Sequence, residues 1–206
     1  MEIVPHPHPA LAQKSKPITR IDARLKKTIA KMFELMYEAN GIGLAANQVG
    51  LPFRFFVINL TADPEKKEEE VVFINPEIIK RKGQVEDEEG CLSLPQVYGP
   101  VRRSEEIVVE TFTLKGEGVR MTLNGLFSRA VQHELDHLDG VMFPDRMTED
   151  DKAQIADEVE QFENHFRNLQ RKGELPSDEE IQQQLDTMMK TDQLFDPETG
   201  QLEVDN

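Results

Sequence analysis

Gln132-His133-Glu134-Leu135-Asp136-His137 sets two imidazoles four residues apart. On a helix both rings leave one face, a turn apart, which is the spacing two nitrogens need to share a tetrahedral metal ion. Glu134 follows the first of them, so a carboxylate stands in reach of a metal-activated water. Cation, water and base together make a hydrolytic centre. The same pattern also occurs on ordinary solvated helices, so other parts of the chain must supply a third ligand and a substrate site.

Downstream of His137, the acids Asp139, Asp145 and Glu149 fall at no spacing typical of zinc-protease helices. Upstream, Glu89-Gly90-Cys91-Leu92-Ser93-Leu94-Pro95 holds the only cysteine. A lone cysteine is usually a small hydrophobe. Here Gly90 lets the backbone approach a neighbour, and Cys91 is the one thiolate on offer, so it is preferred over the acids. A second unusual segment, Gly41-Ile42-Gly43-Leu44-Ala45-Ala46-Asn47-Gln48, is small, apolar and ends in an amide. It lacks the third glycine and the Lys-Ser/Thr of nucleotide loops. Either its backbone comes close to a ligand, with Gln48 presenting N–H donors, or it is a tight turn before a strand.

The elements that position these groups follow from periodicity. A helix is predicted from about Gly125 to Leu138, closing on Gly140, with Leu126, Arg129 and Ala130 on the metal-facing side and lining a pocket there. Thr19 reads as the N-cap of an earlier helix, with Ile21, Leu25, Ile29, Met32, Phe33 and Met36 on its apolar stripe and Gly41 as its stop. Phe53–Leu60 reads as a buried strand, followed by a charged loop over Glu65–Glu70. Val71–Asn75 and Glu77–Lys80 read as two short strands broken at Pro76, and Ile107–Leu114 with Val119–Leu123 as a hairpin. The class is α+β: antiparallel or mixed sheets around a central metal-binding helix, with helices at both ends.

At 206 residues the chain suits one domain plus an appendage. No apolar run reaches membrane-span length, and the N-terminus has neither signal nor transit character, so cytoplasmic residence is expected. One cysteine excludes an internal disulfide and fits a reducing compartment. Of the net charge of −15, residues 148–206 carry −12, from 17 acidic and 5 basic residues, leaving the first 147 at −3. Such a tail is repelled by phosphate backbones, so it is not expected to bind nucleic acid. From an N-cap at Thr148 its stripe Ile155, Val159, Phe162, Phe166 and Leu169 should pack on the body. Ser177-Asp178-Glu179-Glu180 is a capping box opening a second helix through Met189, and the last dozen or so residues read as disordered. His6 and His8 form a possible metal pair, but Pro5, Pro7 and Pro9 favour an arm lying on the body.

The three blocks Gly41–Gln48, Glu89–Ser93 and Gln132–His137, in this order, closely resemble the signature motifs of peptide deformylase. The opening arm with Lys16-Pro17-Ile18 is similar to that family's N-terminus. The resemblance spans about Ile3 to Met147, giving a catalytic domain at 1–147 and an acidic, mostly helical extension at 148–206. It implies removal of the formyl group from the formyl-methionine of newly made proteins at the ribosome, by a monomeric enzyme. Cys91, His133 and His137 would hold one divalent ion: ferrous iron first, with zinc or nickel able to replace it. Glu134 would be the general base, and the Gln48 side chain with the Leu92 backbone N–H the oxyanion donors. Ile42, Leu126, Ala130 and the stem of Arg129 would form the methionine pocket, while Gly43 and Gly90 pair with the substrate backbone. An Arg103–Glu89 ion pair would brace the cysteine loop. A metalloprotease using the same helix, or a silent metal-binding homologue, are the alternatives.

Overall fold

The computed structural model describes residues 1–193, so the expected disorder of the last residues lies outside the described part. Helix α1 (Ala23–Glu38) starts three residues later than expected, because Asp22 caps it by accepting from the Leu25 N–H at 2.8 Å. The hydroxyl of Thr19 donates to Asp192 of the tail, a long-range partner invisible to a local reading. At the other end, Asn40 takes the left-handed conformation (φ 55°) that had been expected to fall to Gly41.

Strands β1 (Gly43–Ala45), β2 (Phe55–Ile58), β3 (Val71–Lys82), β6 (Glu106–Phe112) and β7 (Gly118–Asn124) form an antiparallel sheet in the order β1-β2-β3-β6-β7. The two short strands expected on either side of Pro76 are one strand. The register shifts between Ile74 and Glu77, and that irregularity absorbs a residue with no N–H for the ladder. Strands β4 (Val85–Cys91) and β5 (Leu94–Arg103) make a separate hairpin.

Alternation along β2 divides the core into two layers. Phe55 and Val57 face α1, with Ile29, Met32 and Met36. Phe56 and Ile58 face the other way, with Phe73, Ile107 and Val109, against Ala130, Val131, Leu135 and Leu138 of α2 (Gly125–Leu138). The metal-motif helix is thus pinned along one side of the sheet. It closes at Gly140 (φ 74°), where a Cβ would fall 2.5 Å from the Ala12 carbonyl oxygen, so only glycine fits.

The tail forms α3 (Glu149–Gln154), α4 (Ala156–Arg171) and α5 (Asp178–Thr191). Thr148 caps α3 and the Ser177–Glu180 capping box opens α5, both as expected. The predicted stripe is interrupted at Ile155, where α3 turns into α4. Val159 and Phe162 pack beside Leu94, Val97 and Val101 of β5, and Phe166 is buried. Ile181, Leu185 and Met188 of α5 join the α1 core.

Candidate metal centre

The hairpin turn at Leu92-Ser93 carries Cys91 to the face of α2 from which His133 and His137 project. The Cys91 sulfur lies 3.3 Å from His137 Nε2, and the two histidine Nε2 atoms are 3.2 Å apart. A tetrahedral ion with bonds of about 2.1–2.3 Å would have ligand atoms roughly 3.4–3.7 Å apart, so three such atoms converging this closely fit one cation. The two histidine rings are nearly perpendicular, at 83°, and offer Nε2 to the same point.

The electrostatics also call for positive charge. Burial works against protonating His133, but the Cys91 sulfur and the Glu89 carboxylate more than offset it, raising its pKa to about 10. His137 behaves oppositely: burial and the neighbouring His133 hold it well below its usual value, and its buried Nδ1 has no partner among the described residues. Glu134 is buried, and burial raises its pKa to about 7 against the pull of His133 and Arg103. Its Oε2 has no hydrogen-bond partner among the described residues. Its Oε1 occupies the space a Cβ at position 43 would need, 2.4 Å away, which is why Gly43 stands there.

Behind the ligands lies a buried ion network. The Glu89 carboxylate accepts from Arg103 Nε and Nη2 at 2.7 and 2.8 Å, from Arg129 Nη1, and from His133 Nδ1 at 3.1 Å. Burial would raise the Glu89 pKa, but the His133 and Arg103 hydrogen bonds bring it to about 2. Arg103 Nη1 reaches on to Asp136 at 2.6 Å, and Arg146 closes the far side of that carboxylate at 2.6 Å. The Arg103–Glu89 pair was expected. Asp136 and Arg146 were not, since nothing local in the sequence links them.

The second motif reaches the same centre. Gln48 is 1% exposed; its Oε1 accepts from the Ala45 N–H at 2.9 Å, and its Nε2 points to Cys91 Sγ and Ser93 Oγ, each at 3.3 Å. Leu92 follows Cys91 in the turn. Gly43 and Gly90 flank the centre from β1 and β4, and the ring of Tyr98 lies over Gly90, a neighbour the sequence reading missed. Ile42 and Ala130 share one apolar cluster. Leu126 is 54% exposed at the start of α2, and the Arg129 guanidinium is bound to Glu89 and to the carbonyls of Val101 and Val85. Of the pocket set, Ile42 and Ala130 thus lie together, while Leu126 stands open to solvent. His6 and His8 form no metal pair: His6 contacts Glu163 at 3.3 Å and His8 accepts from the Ala10 N–H at 3.2 Å.

The chain has clear relatives among known proteins. Residues 1–153 match a family model described as polypeptide deformylase. The chain is 42% identical to the peptide deformylase of Rhodopirellula baltica over 184 residues, 89% of this chain and 91% of that one. It is 44% identical to that of Acidobacterium capsulatum over 172 residues, 84% and 96% of the two chains. A plant peptide deformylase crystal structure superposes with a TM-score of 0.80 at 39% identity, covering 86% of this chain and 95% of that one. One from Legionella pneumophila gives 0.73 at 34%, covering 81% and 96%.

Proposed function

From the chain's membership of the polypeptide deformylase family we infer how its residues share the work of deformylation. It is an enzyme that removes the formyl group from nascent peptides, using a divalent metal. The observation that carries the assignment of roles is the convergence of Cys91 Sγ with both Nε2 atoms beside the unpartnered oxygen of Glu134.

In this reading Cys91, His133 and His137 hold the ion, ferrous iron in the cell, with zinc or nickel accepted by the same mixed sulfur and nitrogen set. When bound, the cation polarises the formyl oxygen and makes a water acidic enough to lose its proton near neutrality. Glu134 Oε2 takes that proton and later delivers it to the leaving amine nitrogen. Burial lifts this carboxyl above its usual value, the direction that favours taking up and returning a proton. Gln48 Nε2 and the Leu92 N–H donate to the oxyanion that forms at the formyl carbon, together worth roughly 3–4 kcal/mol or more in the transition state. The side-chain orientation of Gln48, fixed at Oε1 by Ala45, supports that role. β1 is an edge strand, and its free side supports strand-like pairing of the substrate backbone at Gly43, with Gly90 opposite. Ile42, Ala130, Leu126 and the stem of Arg129 take the methionine side chain.

We assign residues 1–147 to catalysis and 148–206 to the extension, and place the enzyme in the cytoplasm as a monomer meeting its substrates at the ribosome. No helix among the described residues is long and apolar enough to cross a membrane. The test is anaerobic loading with ferrous iron and assay of formate release from a formyl-methionyl peptide. Glu134→Ala should keep its metal and lose turnover; full turnover in that variant would overturn the assignment.

A further inference from the structure

The two proposed oxyanion donors come from separate segments, so something must fix the gap between them. The N-terminal arm spans it. The Val4 N–H donates to the Gln48 carbonyl and the His6 N–H to the Ser93 carbonyl, each at 2.8 Å. The ring closes where Gln48 Nε2 meets Ser93 Oγ. Residues of the arm also lie beside α4. Val4 shares an apolar cluster with Val159 and Phe162, His6 Nε2 meets Glu163 Oε1, and the His8 ring sits edge-on to Phe166 at 6.1 Å. Nothing in the metal-ligand set needs this arm, and nothing in a solvated appendage needs that match.

We propose that Val4–His8 is a strap, clamped by α4, that holds the Gln48 and Leu92 donors at their working separation. Val4, His6, Phe162 and Glu163 are then positioning residues, and the acidic extension takes part in the reaction through the arm. The proposal rests on the reading of Gln48 and Leu92 as donors. Because those donors act mainly in the transition state, a loosened strap lowers kcat and leaves KM nearly alone.

Two variants test it in the full-length, metal-loaded enzyme. Val4→Pro deletes the N–H that reaches Gln48, and Phe162→Ala with Glu163→Gln loosens the clamp from the exposed side. We expect kcat for a formyl-methionyl peptide to fall about tenfold in the first and about threefold in the second, with KM within about twofold, a fraction of the 10²–10³ for losing a donor outright. Metal stoichiometry stays at wild type, and amide hydrogen exchange at residues 47–49 and 91–93 speeds up with or without metal. Gln48→Ala is measured alongside. If it keeps full kcat, the donor reading falls and the strap with it. If it is impaired while both strap variants keep wild-type kcat, the strap alone is overturned. Should Val4→Pro fail to fold, the clamp variant decides.

Discussion

Glu89 Oε2 lies 3.1 Å from His133 Nδ1, on the side of the ring away from the Nε2 that faces His137 Nε2. This contact fixes which nitrogen is left for the cation, and Arg103 and Arg129 hold the carboxylate in place behind it. A ligand oriented this way is more basic and loses less freedom on binding. Replacing Glu89 by Gln removes the charge while keeping the shape. Metal affinity should fall by roughly 10–100-fold, read by competition with a chelator. Unchanged affinity would show that the contact does not matter.

Gly43→Ala places a methyl 2.4 Å from Glu134 Oε1, and because the backbone there is ordinary strand, the side chain must yield. The expected result is a loss of kcat of about 10²-fold, the usual scale for a misplaced acid–base group, with metal content intact. Steady-state kinetics with metal analysis check this.

Phe166 is 1% exposed on α4, in the core shared with α1 and α5. Phe166→Ala should cost about 3–5 kcal/mol and lower the thermal midpoint by several degrees or more. A midpoint within about a degree of wild type would mean that the helix contributes little to stability.

His8 gives a pH dependence of known sign. Burial lowers its pKa to about 4 from 6.5, with Asp178 pulling the other way. The folded ring stays neutral while the unfolded one takes up a proton below 6.5, so the unfolded state binds more protons between those values. Stability from this group is complete above pH 6.5 and drains away as pH falls towards 4, by up to roughly 3 kcal/mol. His8→Asn keeps an acceptor for the Ala10 N–H and should flatten that slope. Denaturant midpoints at pH 7, 5 and 4 for both proteins decide it.

What could be read from the sequence was what is encoded locally. The spacing of His133 and His137, the Ser177 capping box and the β6–β7 hairpin are patterns within a few residues, and each stands where the spacing put it. Cys91 was reachable because it is the only thiolate. The misses share one cause, namely partners distant in the chain. Thr19 looked like a cap until Asp192 claimed its hydroxyl, and Pro76 looked like a break until pairing with β6 absorbed it. Asp136 and Arg146 are ordinary helix and turn charges until Arg103 arrives between Glu89 and Asp136. Placing Leu126 and Arg129 on one side of α2 was a reading of helix spacing alone. It could not say that the guanidinium would be drawn to Glu89.

The four residues of β2 are a party wall. Phe55 and Val57 support the layer in which α5 is embedded, while Phe56 and Ile58 support the helix bearing both imidazoles. Neither side can melt without baring the other, so calorimetry of the whole chain will record a single endotherm, its area that of one cooperative unit. In this chain the carboxyl-terminal helices are therefore no detachable annex, because they share masonry with the chemistry.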